Sequence, residues 1–192
     1  MYSFHCLFCH GFEERGADSV GVLATGSVTS PEMINHVARM AKNLAHRVTI
    51  YTNANPSLAA SLPANIRSSK IAVDDRPIAR LAMADTDEAS SSRVRISFAD
   101  GSADKIEGFV TSHPSVEQAG KTLQEQLGLE MTEMGDIKVT PPWNETSVKG
   151  VFAAGDAATP MRNVMQALHM GSFAGAGIVT QIQAEREAKD EL

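Results

Sequence analysis

The sequence predicts an α/β fold, a parallel sheet with a β hairpin added to it. Three observations carry this. A strand–helix–strand run covers Val20 to Thr52, an alternating polar/apolar stretch with a turn covers Arg93 to Val110, and a buried strand at Val151–Ala154 precedes a long closing helix.

The elements follow in order. Val20-Gly21-Val22-Leu23-Ala24 is a short apolar run ending in Thr25-Gly26-Ser27, which reads as a buried strand. Ser30-Pro31-Glu32 offers an N-cap with proline at the first helical position, and Met33, Val37, Met40, Ala41 and Leu44 follow at helical spacing, predicting a helix to about His46. Arg47 to Thr52 is the next strand, completing a right-handed βαβ unit. Asp85 to Ser92 reads as a solvated loop. Arg93–Phe98, the turn Ala99-Asp100-Gly101-Ser102 and Lys105–Val110 predict an antiparallel hairpin. His113-Pro114 reads as a hinge, Val116–Leu127 as a helix, Ile137–Val139 as a short strand, and Asn163–Ala188 as the closing helix.

Composition narrows the function classes. The 192 residues carry 17 Lys and Arg against 23 Asp and Glu, a net charge of −6, and no basic run. Such a chain is a poor nucleic-acid binder. No stretch approaches the ~20 apolar residues of a membrane span. Met1–Cys6 has neither a basic nor an apolar signal-peptide region. The sequence therefore predicts a cytoplasmic protein. The closing Lys189-Asp190-Glu191-Leu192, which matches an endoplasmic-reticulum retrieval signal, reads as coincidence.

The cysteines are the first chemical signal. Cys6 and Cys9 are the chain's two cysteines, spaced Cys-x-x-Cys. Such a pair at a helix N-terminus closes a disulfide with little backbone movement, and the helix end favours a thiolate. His5 and His10 flank it; either is a candidate base. A zinc site or two inert thiols are the alternatives, although no second pair exists to complete a zinc tetrahedron. Gly155-Asp156 is the second signal. Glycine at a strand end permits close backbone approach, Asp156 suits a sugar-like hydroxyl, and the helix beginning near Asn163 aims free amides at an electronegative edge. The third signal is a failure. Of a G-x-G-x-x-G turn, only Gly26 falls in place, and Tyr51-Thr52-Asn53 supplies no acid for a ribose. His36 and His46 read as surface residues, His169 as a helix residue, and Met161, Met165 and Met170 as core filling.

The order of these features resembles the low-molecular-weight thioredoxin reductase family of flavoproteins. Thr146 to Asp156 is similar to that family's second FAD-binding segment, followed by Arg162-Asn163-Val164 and the small-residue helix from Gly171 to Gly177. His5-Cys6-Leu7-Phe8-Cys9-His10-Gly11 resembles the dithiol motif of the fungal gliotoxin-oxidase branch. The resemblance implies a three-layer, Rossmann-like FAD/NAD(P)-binding fold. Residues 1–112 would carry the dithiol and a degenerate pyridine-nucleotide domain, and 113–192 the C-terminal part of the FAD domain. The family's N-terminal FAD half precedes the dithiol and is missing here, so the chain reads as truncated.

The resemblance also assigns roles. Cys9 would lie nearest the flavin and Cys6 would exchange with substrate. His5 or His10 would take a thiol proton. Gly155 and Asp156 would hold FAD, and the amides of Asn163 and Val164 would face the flavin's negative edge. The implied reaction is oxidation of a small-molecule dithiol to a disulfide in secondary metabolism, by a homodimer with FAD and no metal. An NADPH-dependent disulfide reductase and an inactive remnant without flavin are the competing readings.

Overall fold

The computed structural model describes residues 3–62, 66, 69–84, 93–115 and 118–191. It divides into two compact units, Met1–Ser115 and Val116–Leu192. No helix among the described residues is long and apolar enough to cross a membrane.

The first unit is built on five parallel strands: β1 (Ser3–Phe4), β2 (Ala17–Gly26), β3 (Ala45–Tyr51), β4 (Ile71–Asp74) and β8 (Phe109–His113), in the order β1-β8-β2-β3-β4. One-turn α1 (His10–Glu13) follows β1. Helix α2 (Pro31–Lys42) links β2 to β3, as the pattern predicts. Ser30 caps it, its hydroxyl accepting from the Met33 amide at 3.2 Å, a contact worth about 1 kcal/mol. The helix stops at Lys42 rather than near His46. The Asn43 and Leu44 amides tighten onto the Met40 and Ala41 carbonyls, and Ala45 is already paired with Ala17. Helix α3 (Pro56–Ser61) was not anticipated, although Asn55-Pro56 carries its signal: the Asn55 side chain accepts from the Leu58 amide.

Alternation sets the layers. Val20, Val22, Val48 and Ile50 point into a core shared with Ile34, Val37, Ala38 and Ala41 of α2. Leu23, Tyr51 and Val110 face the other way, onto a three-stranded antiparallel sheet of β5 (Ile78–Met83), β6 (Val94–Phe98) and β7 (Lys105–Glu107). The result is helix, parallel sheet and antiparallel sheet, an α/β three-layer arrangement. The predicted loop at Asp85–Ser92 lies outside the described residues.

The hairpin differs from expectation at its end. Only Lys105–Glu107 pairs with β6; Phe109 and Val110 belong to β8 in the large sheet. The switch occurs at Gly108, whose amide donates to the Ser19 carbonyl at 3.0 Å. A Cβ there would lie 2.8 Å from that same oxygen, so the crossing needs glycine.

The second unit has less regular structure. Helix α4 (Lys121–Leu127) starts later than predicted, since Gly120 is its N-cap; residues 116 and 117 lie outside the described set. Gly128, left-handed, ends it, with the Leu129 amide returning to the Gln124 carbonyl. The strands predicted at Ile137–Val139 and Val151–Ala154 are not formed as strands. Ile137 makes one bridge to Met131, and Phe152 one to Glu145. A parallel strand requires a neighbour to ladder with, and among the described residues of this unit none does so. Helix α5 (Val164–Ala188) closes the chain where predicted. Asn144 anchors it by donating to the Met170 carbonyl at 2.8 Å. Gly177 lets Trp143 and Phe152 pack against it, since a Cβ would lie 2.7 and 2.8 Å from them.

Candidate redox site

β1 is only two residues long, so its position depends on side chains. Thr111 Oγ1 donates to the Phe4 carbonyl at 2.7 Å, the Ser3 and Ser112 hydroxyls meet at 2.6 Å, and Phe4 stacks edge-on against Phe109. The chain then turns sharply. The Cys6 carbonyl accepts from the amides of both Cys9 and Gly11 at 3.3 Å. Buried Leu7 pins the turn to the helix-side core. A Cβ on Gly11 would come within 2.9 Å of Leu7 and 3.1 Å of the Cys6 carbonyl. Glycine is therefore what allows the turn to close.

Within this turn Cys6 and Cys9 form a disulfide, with 5.3 Å between their Cα atoms. The pair is oxidised in this structure, the state that a redox role of Cys-x-x-Cys uses. Cys6 is half-buried and Cys9 exposed. Phe8, between them, is 82% exposed. His5 and His10 are both exposed, and His10 Nδ1 lies 3.4 Å from Glu13. The helix after Cys9 is a single turn, shorter than the motif suggests.

A third histidine joins this end of the sheet. His113, read from sequence as part of a hinge, is instead the last residue of β8. The register Phe4↔Thr111 carries it to the level where β1 runs into His5 and Cys6. Its Nδ1 is buried without a partner. Burial pushes its pKa below the ordinary imidazole value, and His5 and His36 push the same way. Only the strand pairing reveals this neighbour; local sequence holds no signal for it.

His113 also closes the crevice where a βα turn would receive a nucleotide. Its carbonyl accepts from the Ser27 amide at 2.9 Å and the Ser27 hydroxyl at 3.2 Å. A Cβ on Gly26, which has φ +65°, would lie 2.2 Å from that carbonyl. The Val28 amide donates to the Thr25 carbonyl, and the Met33 amide to the Ser30 hydroxyl. These four donors of the turn are thus occupied by the protein itself.

In the second unit the remaining predicted residues gather at the start of α5. Gly155 is buried at φ +65° and opens a 3-10 turn. Asp156 is exposed. Asn163 is the N-cap: its Oδ1 accepts from the Gln166 amide at 2.8 Å. Val164 stands exposed beside it. One buried carboxylate here escaped the sequence reading. Asp136 is 1% exposed and lies 3.3 Å from the Arg162 guanidinium. Met161 and Met165 are exposed, not core; of the three methionines only Met170 is buried. His169 packs on Phe173 at 4.8 Å.

Residues 37–172 match the pyridine nucleotide-disulphide oxidoreductase family. The chain belongs to that family. Fungal proteins named thioredoxin reductases resemble it over nearly its whole length. It is 40% identical over 188 residues to thioredoxin reductase aclD of Aspergillus oryzae, covering 97% of this chain and 58% of that protein. It is 37% identical over 196 residues to thioredoxin reductase sirT of Leptosphaeria maculans, covering 100% and 59%. The chain thus spans little more than half the length of these relatives. The fold matches the crystal structure of thioredoxin reductase from Streptococcus pyogenes, with a TM-score of 0.68 and 20% identity over 94% of this chain and 57% of that one. The thioredoxin reductase of Giardia duodenalis matches at 0.63, with 20% identity over 95% and 58%.

Proposed function

We propose that this chain carries the dithiol of a flavin-dependent oxidase that converts a small-molecule dithiol into a disulfide. The carrying observation is the Cys6–Cys9 disulfide, set in an accessible turn at the carboxyl end of the parallel sheet. The likeness to fungal proteins named aclD and sirT supports a secondary-metabolite substrate.

The exchange balances without further reagents. A substrate thiolate attacks Cys6 Sγ, the Cys6–Cys9 bond breaks, and Cys9 leaves as a thiolate. The second substrate thiolate then attacks the substrate sulfur of the mixed disulfide. The substrate disulfide forms and Cys6 is released. Two electrons have moved from substrate to the cysteine pair. His5 and His10, both exposed beside the turn, would accept the two thiol protons. Burial lowers the proton affinity of His113, which lies at the same sheet end.

The second unit fits FAD. Gly155 makes a buried left-handed turn, Asp156 beside it presents an exposed carboxylate, and the amide of Val164 heads α5. Asn163 fixes that helix start rather than offering its own Oδ1. FAD supplies a two-electron acceptor for the reduced cysteine pair. The reading includes a homodimer working in the cytoplasm.

An NADPH-dependent reductase would need the β2–α2 turn, where the Ser27 amide and hydroxyl are held by His113. The test incubates the chain with FAD, removes free flavin, and follows oxygen. We expect retained flavin and oxygen uptake with a small dithiol alone, abolished in Cys6→Ser. A folded chain that retains no flavin, or a requirement for NADPH, overturns the reading.

A further inference from the structure

We infer that the amino end of the parallel sheet in the first unit holds a binding site for a small phosphate-bearing molecule. Because Val20 and Val48 point into the helix-side core, Ser19 and Arg47, opposite each other in register, face the other side. The three-stranded sheet covers that side around Leu23, Tyr51 and Val110. Below them it leaves a cavity of about 330 Å³, lined by Arg47, Lys70, Lys105, Ser19, Ser69 and Glu107 among others.

The lining is cationic in an acidic chain, with three basic side chains to one carboxylate. Two of these charges are held by the protein. Glu107 is pinned to the protein, accepting from the Tyr51 hydroxyl at 2.5 Å. Lys105 is positioned by Asp74, 3.1 Å away. Arg47, Ser19 and Ser69 have no side-chain partner among the described residues, so their donors are open to a ligand. A guanidinium fork, ammonium groups and hydroxyls around one space match the acceptor oxygens of a phosphate. The space is larger than a bare phosphate and has room for an ester with an organic part.

The site is separate from the disulfide. Cys6 follows the carboxyl end of β1, whereas Ser19 and Arg47 lie near the amino ends of β2 and β3, and Lys70 precedes β4. The inference therefore does not rest on the redox reading. Glycerol 3-phosphate is the probe, with glycerol as its uncharged control, titrated into the oxidised chain at low salt and followed by amide chemical shifts. We expect saturable shifts near residues 19, 47, 70 and 105–107, absent with glycerol. Arg47→Ala/Lys70→Ala should weaken binding by at least about tenfold. Arg39→Ala/Lys42→Ala on α2 removes the same charge and should leave binding unchanged. No saturable shift, shifts confined to other regions, or equal loss in both double variants overturns the site. Circular dichroism confirms that the variants are folded.

Discussion

Replacing Tyr51 by Phe isolates one buried hydrogen bond. Tyr51 is fully buried, and its hydroxyl donates to Glu107, which is 3% exposed. The ring's neighbours, Phe98 at 6.3 Å and the Lys105 ammonium at 5.7 Å, meet the aromatic face and remain for Phe. The substitution thus removes a donor from a buried carboxylate with little loss of packing. A hydrogen bond to a charged group contributes roughly 1.5–3 kcal/mol, so Tyr51→Phe should lower stability by about 2 kcal/mol. Urea unfolding at neutral pH reads this as a lower midpoint at unchanged slope. The same bond gives an alkaline signature. Desolvation, then the Glu107 charge, pushes the Tyr51 pKa upward. The unfolded phenol ionises near pH 10 while the folded one stays protonated, so wild-type stability falls as pH rises above ~10. Tyr51→Phe should lack this limb. A loss under about 0.5 kcal/mol, or an alkaline limb that survives the substitution, would show that the bond contributes nothing.

Three further outcomes follow from the geometry. Gly26→Ala places a methyl group 2.2 Å from the His113 carbonyl at φ +65°; it should cost several kcal/mol, about 3 or more, and loosen the β2–β8 contact in hydrogen exchange, and a near-neutral melt refutes the close approach. Arg76 holds the Asp74 carboxyl at a pKa of about 2, with Lys105 assisting. Its stabilisation is complete above the unfolded value near pH 4 and fades as pH falls towards 2, so Asp74→Asn should flatten the acid limb of a pH–stability profile; an identical limb in both proteins contradicts this. Cys9→Ser should accumulate a mixed disulfide on Cys6, visible by intact mass, when mixed with a small disulfide. If Cys6→Ser is the variant that traps the adduct instead, the two sulfurs exchange roles.

Legibility from sequence tracks how local the controlling interaction is. Helix α2 is announced by Ser30-Pro31 and its apolar stripe, and its cap forms as read. The Cys-x-x-Cys turn is equally local, and its disulfide forms. What stayed hidden depends on partners far along the chain. β1 is a strand only because Thr111 and Ser112 receive it. His113 joins the redox end through that same pairing. Val151–Ala154 has a strand's composition, but apolar residues do not make a strand without a ladder. Asp136 gave no signal, because its value lies in the distant Arg162.

β8 occupies the slot between β1 and β2, although both are made long before it. The bond from Thr111 to Phe4 spans 107 residues. During synthesis β2 and β3 can mate early, while the segment bearing the two sulfurs has no berth until residues 109–113 emerge. The segment that leads into the disulfide therefore takes its place in the sheet only after residues 109–113 have been made, and a nascent chain stalled before residue 109 would hold the two sulfurs beside a half-built sheet with no β8 to seat them.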